Sequence, residues 1–380
     1  MAFLRGKIYE NKTKRVALST SSKKGANMEY LKNVRLHGEI TDIGIDQGKI
    51  VSIGKTSEGG YECKGLKIYP GLIDIHSHGC IGFDTMDEED HLKEMSEYQL
   101  SCGTTTWYPT TMTMSREDII RATSRDISFT EGATIAGFHM EGPFINPKYK
   151  GAMNENFIFR PDMTLFKECS NIKMVTLAPE LPGSKKFIEE CPAIISIGHT
   201  DADYDTAMGA FRTGAKCLTH AFNAMPGVHH RAPGPLMAAM DSENAYVQLI
   251  ADGKHIHPSV IRMYVRAVGE DRVILISDCM CATGLSDGEY VFGGQKIIVK
   301  DATALTETGH LAGSTVTLFE CVKTAISMGI SEESAVKMAT ENPAKLMGLN
   351  KGKIEVGYDA DFILVDDDFN LKKVIKQGVL

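Results

Sequence analysis

Short apolar runs separated by amphipathic stretches fill the middle of the chain. Most of the runs are apolar throughout, which is typical of parallel strands buried on both faces of a sheet. They predict strands over residues 71–78, 104–111, 133–141, 172–179, 193–199, 216–222, 246–252 and 273–278. The intervening stretches have helical spacing and length, as in residues 88–101, 203–213 and 259–268. Eight strand–helix units therefore predict an α/β fold, a (β/α)8 barrel of the TIM type.

The two flanks of this region have a different pattern, with short β segments and turn residues. Residues 45–54 predict a strand, a turn at Gly48 and a second strand. Residues 352–355, 361–366 and 374–378 have the same β character. We therefore expect both flanks to pair into one small β-sandwich. The predicted domains are this sandwich, from residues 1–69 and 346–380, and the barrel, from residues 70–345.

Composition agrees with a soluble globular protein of one large and one smaller domain, because 43% of the 380 residues are hydrophobic and 24% are charged. The net charge of -8 gives no electrostatic reason to expect a nucleic acid or an anionic membrane as partner. Arg5 and Lys7 interrupt the apolar stretch near residue 1, which does not fit a signal peptide, and no run approaches the ~18 apolar residues of a membrane span. Nine cysteines without a CxxC pair favour reduced thiols and a cytoplasmic protein. We expect Cys279 and Cys281 to be packing residues rather than metal ligands.

Polar side chains follow most of the predicted strands. His76 and His78 close the first strand, and they share one face because they are one residue apart on it. Later strands are followed by Glu141, His199, His220, Asp252, His255 and Asp278. The C-terminal ends of barrel strands meet at one rim, where active sites of this fold are built. Imidazoles and carboxylates gathered there predict a site for a divalent transition metal with a position open for water.

Seven segments occur in order along most of the chain: PGLIDIHSHG, HMEGPFINPKYKGA, IGHTDA, THAFNAM, ADGKH, SDCM and GHLAGST. Together they resemble the N-acetylglucosamine-6-phosphate deacetylase family of the amidohydrolase superfamily. The resemblance implies an amidohydrolase barrel that hydrolyses the N-acetyl amide of this sugar phosphate to glucosamine 6-phosphate and acetate.

The resemblance also implies the metal ligands and the catalytic group. Glu141, His199 and His220 correspond to metal ligands. Asp278 corresponds to the catalytic acid/base, and it is also expected among the residues that bind the metal. Some members of the family bind a second ion through the histidine pair of the first strand, and this chain retains His76 and His78. We therefore expect one or two divalent transition metal ions, Zn²⁺ or Fe²⁺, with Glu141 as the bridging ligand. His139 is expected to support this centre from behind.

Phosphate recognition needs hydrogen-bond donors. The backbone N–H groups around Asn223 and Ala224 could form an anion-binding nest, and Arg231 and His255 could supply charge. Both charged residues match the phosphate site of the family, and some members complete that site from a neighbouring subunit, which implies a homodimer. The remaining substrate contacts implied by the resemblance are Ala152, Asp252, Leu311, Ala312 and Gly313. His229 and His230 are expected to be surface residues.

One position departs from the family. Many members have a histidine that polarises the scissile carbonyl where this chain has Met153, which has no hydrogen to donate. Either the second metal replaces that histidine, or the acyl group or the sugar differs.

Three alternatives compete with the predicted activity. The first is the same chemistry on the epimer N-acetylgalactosamine 6-phosphate, which these residues do not exclude. A cyclic-amide or N-acyl-amino-acid hydrolase is disfavoured by Arg231 and His255. A non-catalytic assembly protein is disfavoured because every expected metal ligand is present. The sequence leaves the identity of the metal, the filling of both sites and the oligomeric state open.

Overall fold

The computed structural model describes residues 29–379, so the predictions made for residues 1–28 lie outside it. Five strands come first: β1 (Glu29–Leu36), β2 (Glu39–Asp46), β3 (Lys49–Ile53), β4 (Tyr61–Glu62) and β5 (Lys67–Pro70). The chain turns between β2 and β3 at Gln47 and Gly48, whose φ angles are 47° and 73°. The predicted turn at Gly48 is confirmed.

The barrel region follows directly, since only Gly71 separates β5 from the next strand. Its elements are β6 (Leu72–Ser77), β7 (Gly79–Cys80), β8 (Phe83–Asp84), α1 (Leu92–Ser101), β9 (Thr104–Thr111), α2 (Arg116–Thr123), β10 (Thr134–Ile135), β11 (Phe138–Glu141), α3 (Met163–Glu168), β12 (Ile172–Leu177), α4 (Ser184–Glu190), β13 (Ile194–Ile197), α5 (Tyr204–Thr213), β14 (Cys217–Leu218), α6 (Gly234–Asp241), β15 (Tyr246–Ile250), α7 (Pro258–Val268) and β16 (Val273–Ile276). Two short 3-10 helices, Pro147–Tyr149 and Glu155–Phe157, lie between β11 and α3.

The eight predicted barrel strands are confirmed as one parallel sheet in the order β6, β9, β11, β12, β13, β14, β15, β16. The sheet closes on itself beyond β16, where the N–H of Asp278 donates to the carbonyl of His76 at 2.9 Å. Below the rim, an apolar cluster that includes Ile75, Tyr108 and Ile274 fills the barrel. The rim therefore stands on a packed floor rather than over a pore.

Seven of the eight barrel strands are shorter than the apolar pattern suggested, and the third and the sixth differ most in form. The third is interrupted at Gly137, whose φ of 137° breaks it into β10 and β11 and where a Cβ atom would lie 2.7 Å from the carbonyl oxygen of Asn171. The sixth is confined to β14, because His220 and Phe222 have positive φ angles that end the strand. Helix α1 begins at Leu92 rather than at residue 88, after Asp90 accepts a hydrogen bond from the Leu92 N–H at 3.0 Å.

A three-stranded antiparallel sheet follows the barrel strands and was not predicted. It consists of β17 (Gly288–Phe292), β18 (Gln295–Lys300) and β19 (Thr303–Thr306). Three helices come next, α8 (Leu318–Ser327), α9 (Glu332–Ala339) and α10 (Glu341–Met347), and then β20 (Phe362–Val365) and β21 (Leu371–Ile375).

The strands of the two flanks pair as predicted. One sheet has the order β21, β20, β5, β1, β2, β3, with β4 beside β1, and it encloses its own apolar core. The turn between β2 and β3 contacts the segment before β20, because the carbonyl of Gly48 accepts a hydrogen bond from the Ala360 N–H at 2.8 Å. The prediction of a strand at residues 352–355 is wrong: Gly352 has a φ of 82° and approaches the Thr340 carbonyl so closely that a Cβ would lie 2.5 Å from it. The domain limits stay a prediction.

Across residues 29–379 no helix combines the length and the apolar character that crossing a membrane requires.

Candidate metal centre

The carboxyl ends of five barrel strands bring the predicted ligands together. His76 lies within β6 and His78 just beyond it, Glu141 is the last residue of β11, and the remaining ligands follow β13, β14 and β16. All six side chains are buried: His76, His78, Glu141, His199, His220 and Asp278.

Three of these residues have backbone angles that non-glycine residues seldom adopt. The φ angles of His199, His220 and Asp278 are 47°, 25° and 47°. Left-handed backbone costs an L-residue energy, and it is found where a site requires it. Here it ends each strand and turns the side chain into the mouth of the barrel.

The Glu141 carboxylate is the centre of the cluster. Its Oε1 lies 3.3, 3.2 and 3.0 Å from the Nε2 atoms of His76, His199 and His220, and its Oε2 lies 3.1 Å from Nε2 of His78. One carboxylate thus contacts ligands from both sides, as expected of a group that bridges two ions.

The opposite nitrogens of three imidazoles face acceptors. Nδ1 of His78 lies 3.2 Å from the carbonyl oxygen of Thr110, and Nδ1 of His199 lies 2.8 Å from that of Tyr149. Nδ1 of His76 lies 3.0 Å from Oε1 of Gln248. These oxygens only accept, so each Nδ1 has a hydrogen, and Nε2 is the nitrogen of each imidazole that can bind a metal once its own proton is lost.

The donor set fits divalent transition metal ions. Two groups of three, His76–His78–Glu141 and Glu141–His199–His220, have ligand atoms within 4.8 Å of one another, and residues 29–379 contain no further group of this kind. Two ligands of a tetrahedral ion at about 2.0–2.1 Å lie about 3.3 Å apart, which matches the contacts around Glu141. Nε2 of His76 is buried without a hydrogen-bond partner within the same part of the chain, as an atom kept for a metal would be.

The buried imidazoles and carboxylates of the cluster shift one another's pKa values. Burial alone would raise the pKa of Asp278, but the charge on His76 and the hydrogen bond from His78 outweigh it and lower the pKa to about 2. Burial would lower the pKa of His78, but its hydrogen bonds to Asp278 and Glu141 raise it to about 10. Binding of a cation would therefore displace protons from the imidazoles and leave the carboxylates ionised.

Asp278 is held on several sides. Its Oδ1 lies 3.4 and 3.3 Å from the Nε2 atoms of His76 and His78, and its carbonyl accepts a hydrogen bond from the Ser314 N–H at 2.7 Å. Gly313 packs so closely against that carbonyl that a Cβ would lie 2.9 Å from it. The segment of Leu311, Ala312 and Gly313 thus packs against the predicted acid/base, with Ala312 bonded to β19 through the Ala304 carbonyl at 3.1 Å.

The predicted phosphate donors lie on the neighbouring strand ends. Phe222 and Ala224 have φ angles of 77° and 51°, which turn the backbone around Asn223. Nδ1 of His255 donates to Oδ2 of Asp252 at 2.7 Å. Burial would lower the pKa of His255, but this hydrogen bond and the carboxylate charge raise it, which favours a cationic imidazole.

Arg231 makes no side-chain contact with these donors within residues 29–379. It is exposed on a hairpin, and the only partner of its guanidinium within residues 29–379 is Nε2 of His230, at 2.7 Å from Nη1. His229 and His230 are exposed, as expected.

Met153 is buried on the loop beyond β11, and its sulfur accepts a hydrogen bond from the Thr113 N–H at 3.3 Å. The carbonyl of Ala152 accepts from Nε2 of Gln295 at 2.6 Å. His139 is fully hydrogen-bonded, to the Ile75 carbonyl and to Oγ1 of Thr176, and packs edge-on against His76.

Sequence reasoning missed several residues beside the centre. Phe292 of β17 packs edge-on against His78 with ring centroids 5.3 Å apart, and Gln295 of β18 reaches the Ala152 loop. Gln248 lies behind His76, and its signal was present in the sequence as an amide inside the apolar strand YVQLI. Cys279 and Cys281 are buried and belong to neither ligand group, as expected.

The barrel with histidines on its first, fifth and sixth strands and carboxylates on its third and eighth defines the class of protein. The model of the amidohydrolase family matches residues 68–380, and the chain belongs to this family, whose superfamily is metal-dependent.

Particular relatives narrow the class. The chain is 37% identical over 361 residues to an N-acetylglucosamine-6-phosphate deacetylase of Bacillus subtilis (strain 168), covering 88% of this chain and 91% of that protein. It is 31% identical to an N-acetylgalactosamine-6-phosphate deacetylase of Escherichia coli O157:H7, covering 82% and 86%. Among solved structures, a variant N-acetyl-D-glucosamine-6-phosphate deacetylase from Mycobacterium smegmatis in complex with N-acetyl-D-glucosamine-6-phosphate superimposes with a TM-score of 0.88 at 27% identity, covering 93% of this chain and 99% of that one.

Proposed function

We propose that this protein hydrolyses the N-acetyl amide of N-acetylglucosamine 6-phosphate to glucosamine 6-phosphate and acetate. The observation that carries the proposal is the complete set of four histidines and two carboxylates at one barrel rim, in a chain similar along most of its length to such deacetylases.

Glu141, His199 and His220 would hold one divalent ion, and His76 and His78 would hold a second that shares Glu141. Zn²⁺ and Fe²⁺ both suit these nitrogen and oxygen donors. A bound ion supplies a water of pKa about 7 and polarises the amide carbonyl.

Asp278 is the acid/base in this proposal. Its lowered pKa keeps it ionised at neutral pH, so it is ready to accept the proton of the attacking water. It then delivers that proton to the nitrogen as the C–N bond breaks, which releases a neutral amine.

The phosphate would bind beside Asn223 and Ala224, where the Ala224 N–H would be a donor while the Asn223 N–H donates to the His220 carbonyl at 3.0 Å. His255, oriented by Asp252, would present Nε2 to the same phosphate. The segment 311–313 and Ala152 would line the sugar and acyl groups. Arg231 is exposed, and its guanidinium contacts only His230 among residues 29–379. This placement supports a homodimer in which Arg231 serves the phosphate site of the neighbouring subunit.

Met153 offers the substrate carbonyl no hydrogen bond, because a thioether has no hydrogen to donate; its sulfur accepts from the Thr113 N–H. Carbonyl polarisation would then depend on the strand-one metal site, which this chain retains. A cytoplasmic enzyme fits a phosphorylated substrate of this kind.

The test is acetate release by purified protein reconstituted with Zn²⁺ or Fe²⁺, with metal content measured in parallel. We expect turnover of N-acetylglucosamine 6-phosphate and little turnover of unphosphorylated N-acetylglucosamine. The 31% identity to an N-acetylgalactosamine-6-phosphate deacetylase makes that epimer the second candidate. A higher kcat/KM for the epimer would identify N-acetylgalactosamine 6-phosphate as the substrate instead. Release of no acetate from either sugar phosphate would refute the proposed activity.

A further inference from the structure

Gln248 is a buried amide at the centre of an otherwise apolar barrel strand. It occupies the third position of β15, between Val247 and Leu249, and its relative exposure is 0%. An amide without hydrogen bonds is costly in such a place, so its contacts indicate what it does.

Its oxygen faces two nitrogens of the metal centre. Oε1 lies 3.3 Å from the backbone nitrogen of His220 and 3.0 Å from Nδ1 of His76. The backbone N–H of His220 can only donate, so the atom that faces it must be the amide oxygen. The NH₂ group then points the other way, where it lies 3.8 Å from the sulfur of Met174.

This orientation determines the hydrogen on His76. Because Oε1 only accepts, Nδ1 of His76 must carry a hydrogen, so Nε2 is the nitrogen left to bind a metal. Nε2 is the atom that lies 3.3 Å from Glu141. His78 and His199 obtain the same tautomer from backbone carbonyls, which no substitution removes. Of these three imidazoles, only His76 depends on a side chain.

We propose that Gln248 is a positioning residue of the metal centre, whose single amide oxygen sets the tautomer of His76 and anchors the backbone of His220. It thereby controls the metal affinity of the site formed by His76, His78 and Glu141. Through its hydrogen bond to the backbone of His220, it also connects this site to the strand that supplies a ligand of the second site. The inference rests on the metal ligands named in the proposed function but not on the substrate.

The test compares variants that keep and remove the acceptor. Gln248→Leu and Gln248→Met remove it at similar volume, Gln248→Glu keeps it, and Met174→Leu changes the contact of the NH₂ group alone. Each metal-free protein is titrated with Zn²⁺ against a competing chelator, and the dissociation constants of both sites are measured. Thermal unfolding of the metal-free proteins reports on packing separately.

We expect Gln248→Leu and Gln248→Met to weaken the binding of one of the two ions, raising its dissociation constant by about 10- to 100-fold. This is the usual effect of removing a group that orients a ligand. Gln248→Glu should bind both ions nearly as wild type does, and so should Met174→Leu. If Leu does not fold, the Met and Glu variants decide the comparison.

Unchanged affinity in the Leu or Met variant would overturn the proposal. Equal losses of metal affinity in the Met and Glu variants would also overturn it. The shape of the amide group, rather than its acceptor oxygen, would then be what the site requires. Neither result touches the question of substrate, because no sugar phosphate is present in the titration.

Discussion

Asp278 combines burial with a negative charge, and its surroundings explain how. The imidazoles of His76 and His78 lie 3.4 and 3.3 Å from Oδ1, and together they lower the pKa of the carboxyl to about 2 despite its burial. Backbone bonds to His76 and Ser314 hold the residue in a left-handed conformation. The carboxylate is therefore positioned and ionised before a substrate arrives.

Replacing Asp278 by Asn keeps the shape of the side chain and removes the proposed base. We expect kcat for N-acetylglucosamine 6-phosphate to fall by at least about a hundredfold, the lower end for general acid–base catalysis. Metal content and KM should change little. Steady-state kinetics and metal analysis check this result. The matched control is Asp201→Asn, which removes an exposed carboxylate that pairs with Lys148. A near-normal kcat for Asp278→Asn would exclude the residue from proton transfer.

At this scale the sequence predicted which residues gather but not how they are held. His76, His78 and Glu141 could be placed at one rim because apolar runs end there and parallel strands share a direction. The groups that accept hydrogen bonds from Nδ1 could not be predicted. The backbone carbonyls of Thr110 and Tyr149 have no side-chain signature, and they meet the imidazoles only in the folded chain.

Among the elements, the sheet of the two flanks has a charged group in its interior. Asp42 on β2 is 1% exposed and accepts hydrogen bonds from Nζ of Lys32 at 2.8 Å and from the N–H groups of Asn33 and Thr56 at 2.9 Å each. Burial alone would raise the pKa of this carboxyl, but the bond from Lys32 and the two backbone donors outweigh it and lower the pKa.

Asp42→Asn should lower the free energy of unfolding by about 2 kcal/mol at pH 7, as expected for hydrogen bonds to a charged group. Because the folded pKa is lowered, this stability is present above the unfolded pKa of about 3.9 and is lost as the pH falls towards the folded pKa. The difference from wild type should therefore shrink at pH 3. Urea unfolding at both pH values measures it, with Asp46→Asn on the same strand as control. A difference independent of pH would contradict the ionic explanation.

The barrel strands were predictable as elements because burial on both faces leaves an apolar run. The sheet of β17, β18 and β19 was not, although β18 alternates buried Ile297 and Val299 with exposed Lys296 and Ile298. Its strands lie between two barrel-type segments and form an addition to the barrel rim. Only the folded chain places Phe292 against His78.

For the whole molecule, the question is whether one chain forms a complete site. Arg231 lies on an exposed hairpin with its guanidinium bonded to His230, whereas His255 and Asp252 pair in the barrel mouth. An arginine that binds the phosphate held in the site of a neighbouring subunit would be exposed in this way when one chain is viewed alone.

Mixing two inactive variants tests this arrangement. Chains with Arg231→Ala and chains with Asp278→Asn should each hydrolyse little substrate at concentrations well below KM. If Arg231 acts on the neighbour, a mixed dimer has one intact site, formed by Asp278 of one chain and Arg231 of the other. Refolding or co-expressing the two should then restore part of the wild-type kcat/KM. No recovery in a mixture shown to contain mixed dimers would assign Arg231 to its own chain or to no site.

The pairing of β5 with β20 has a consequence for biosynthesis. During translation β1, β2 and β5 are synthesised first, and β20 is synthesised only after the entire barrel. Val34 and Ile68 of the nascent chain therefore remain without the apolar side chains of β20 until the barrel is complete. Only Gly71 separates β5 from β6, the strand of His76. We therefore expect the closing of this sheet to be a late event that fixes the first ligand strand, and metal loading of His76 and His78 to follow translation rather than accompany it.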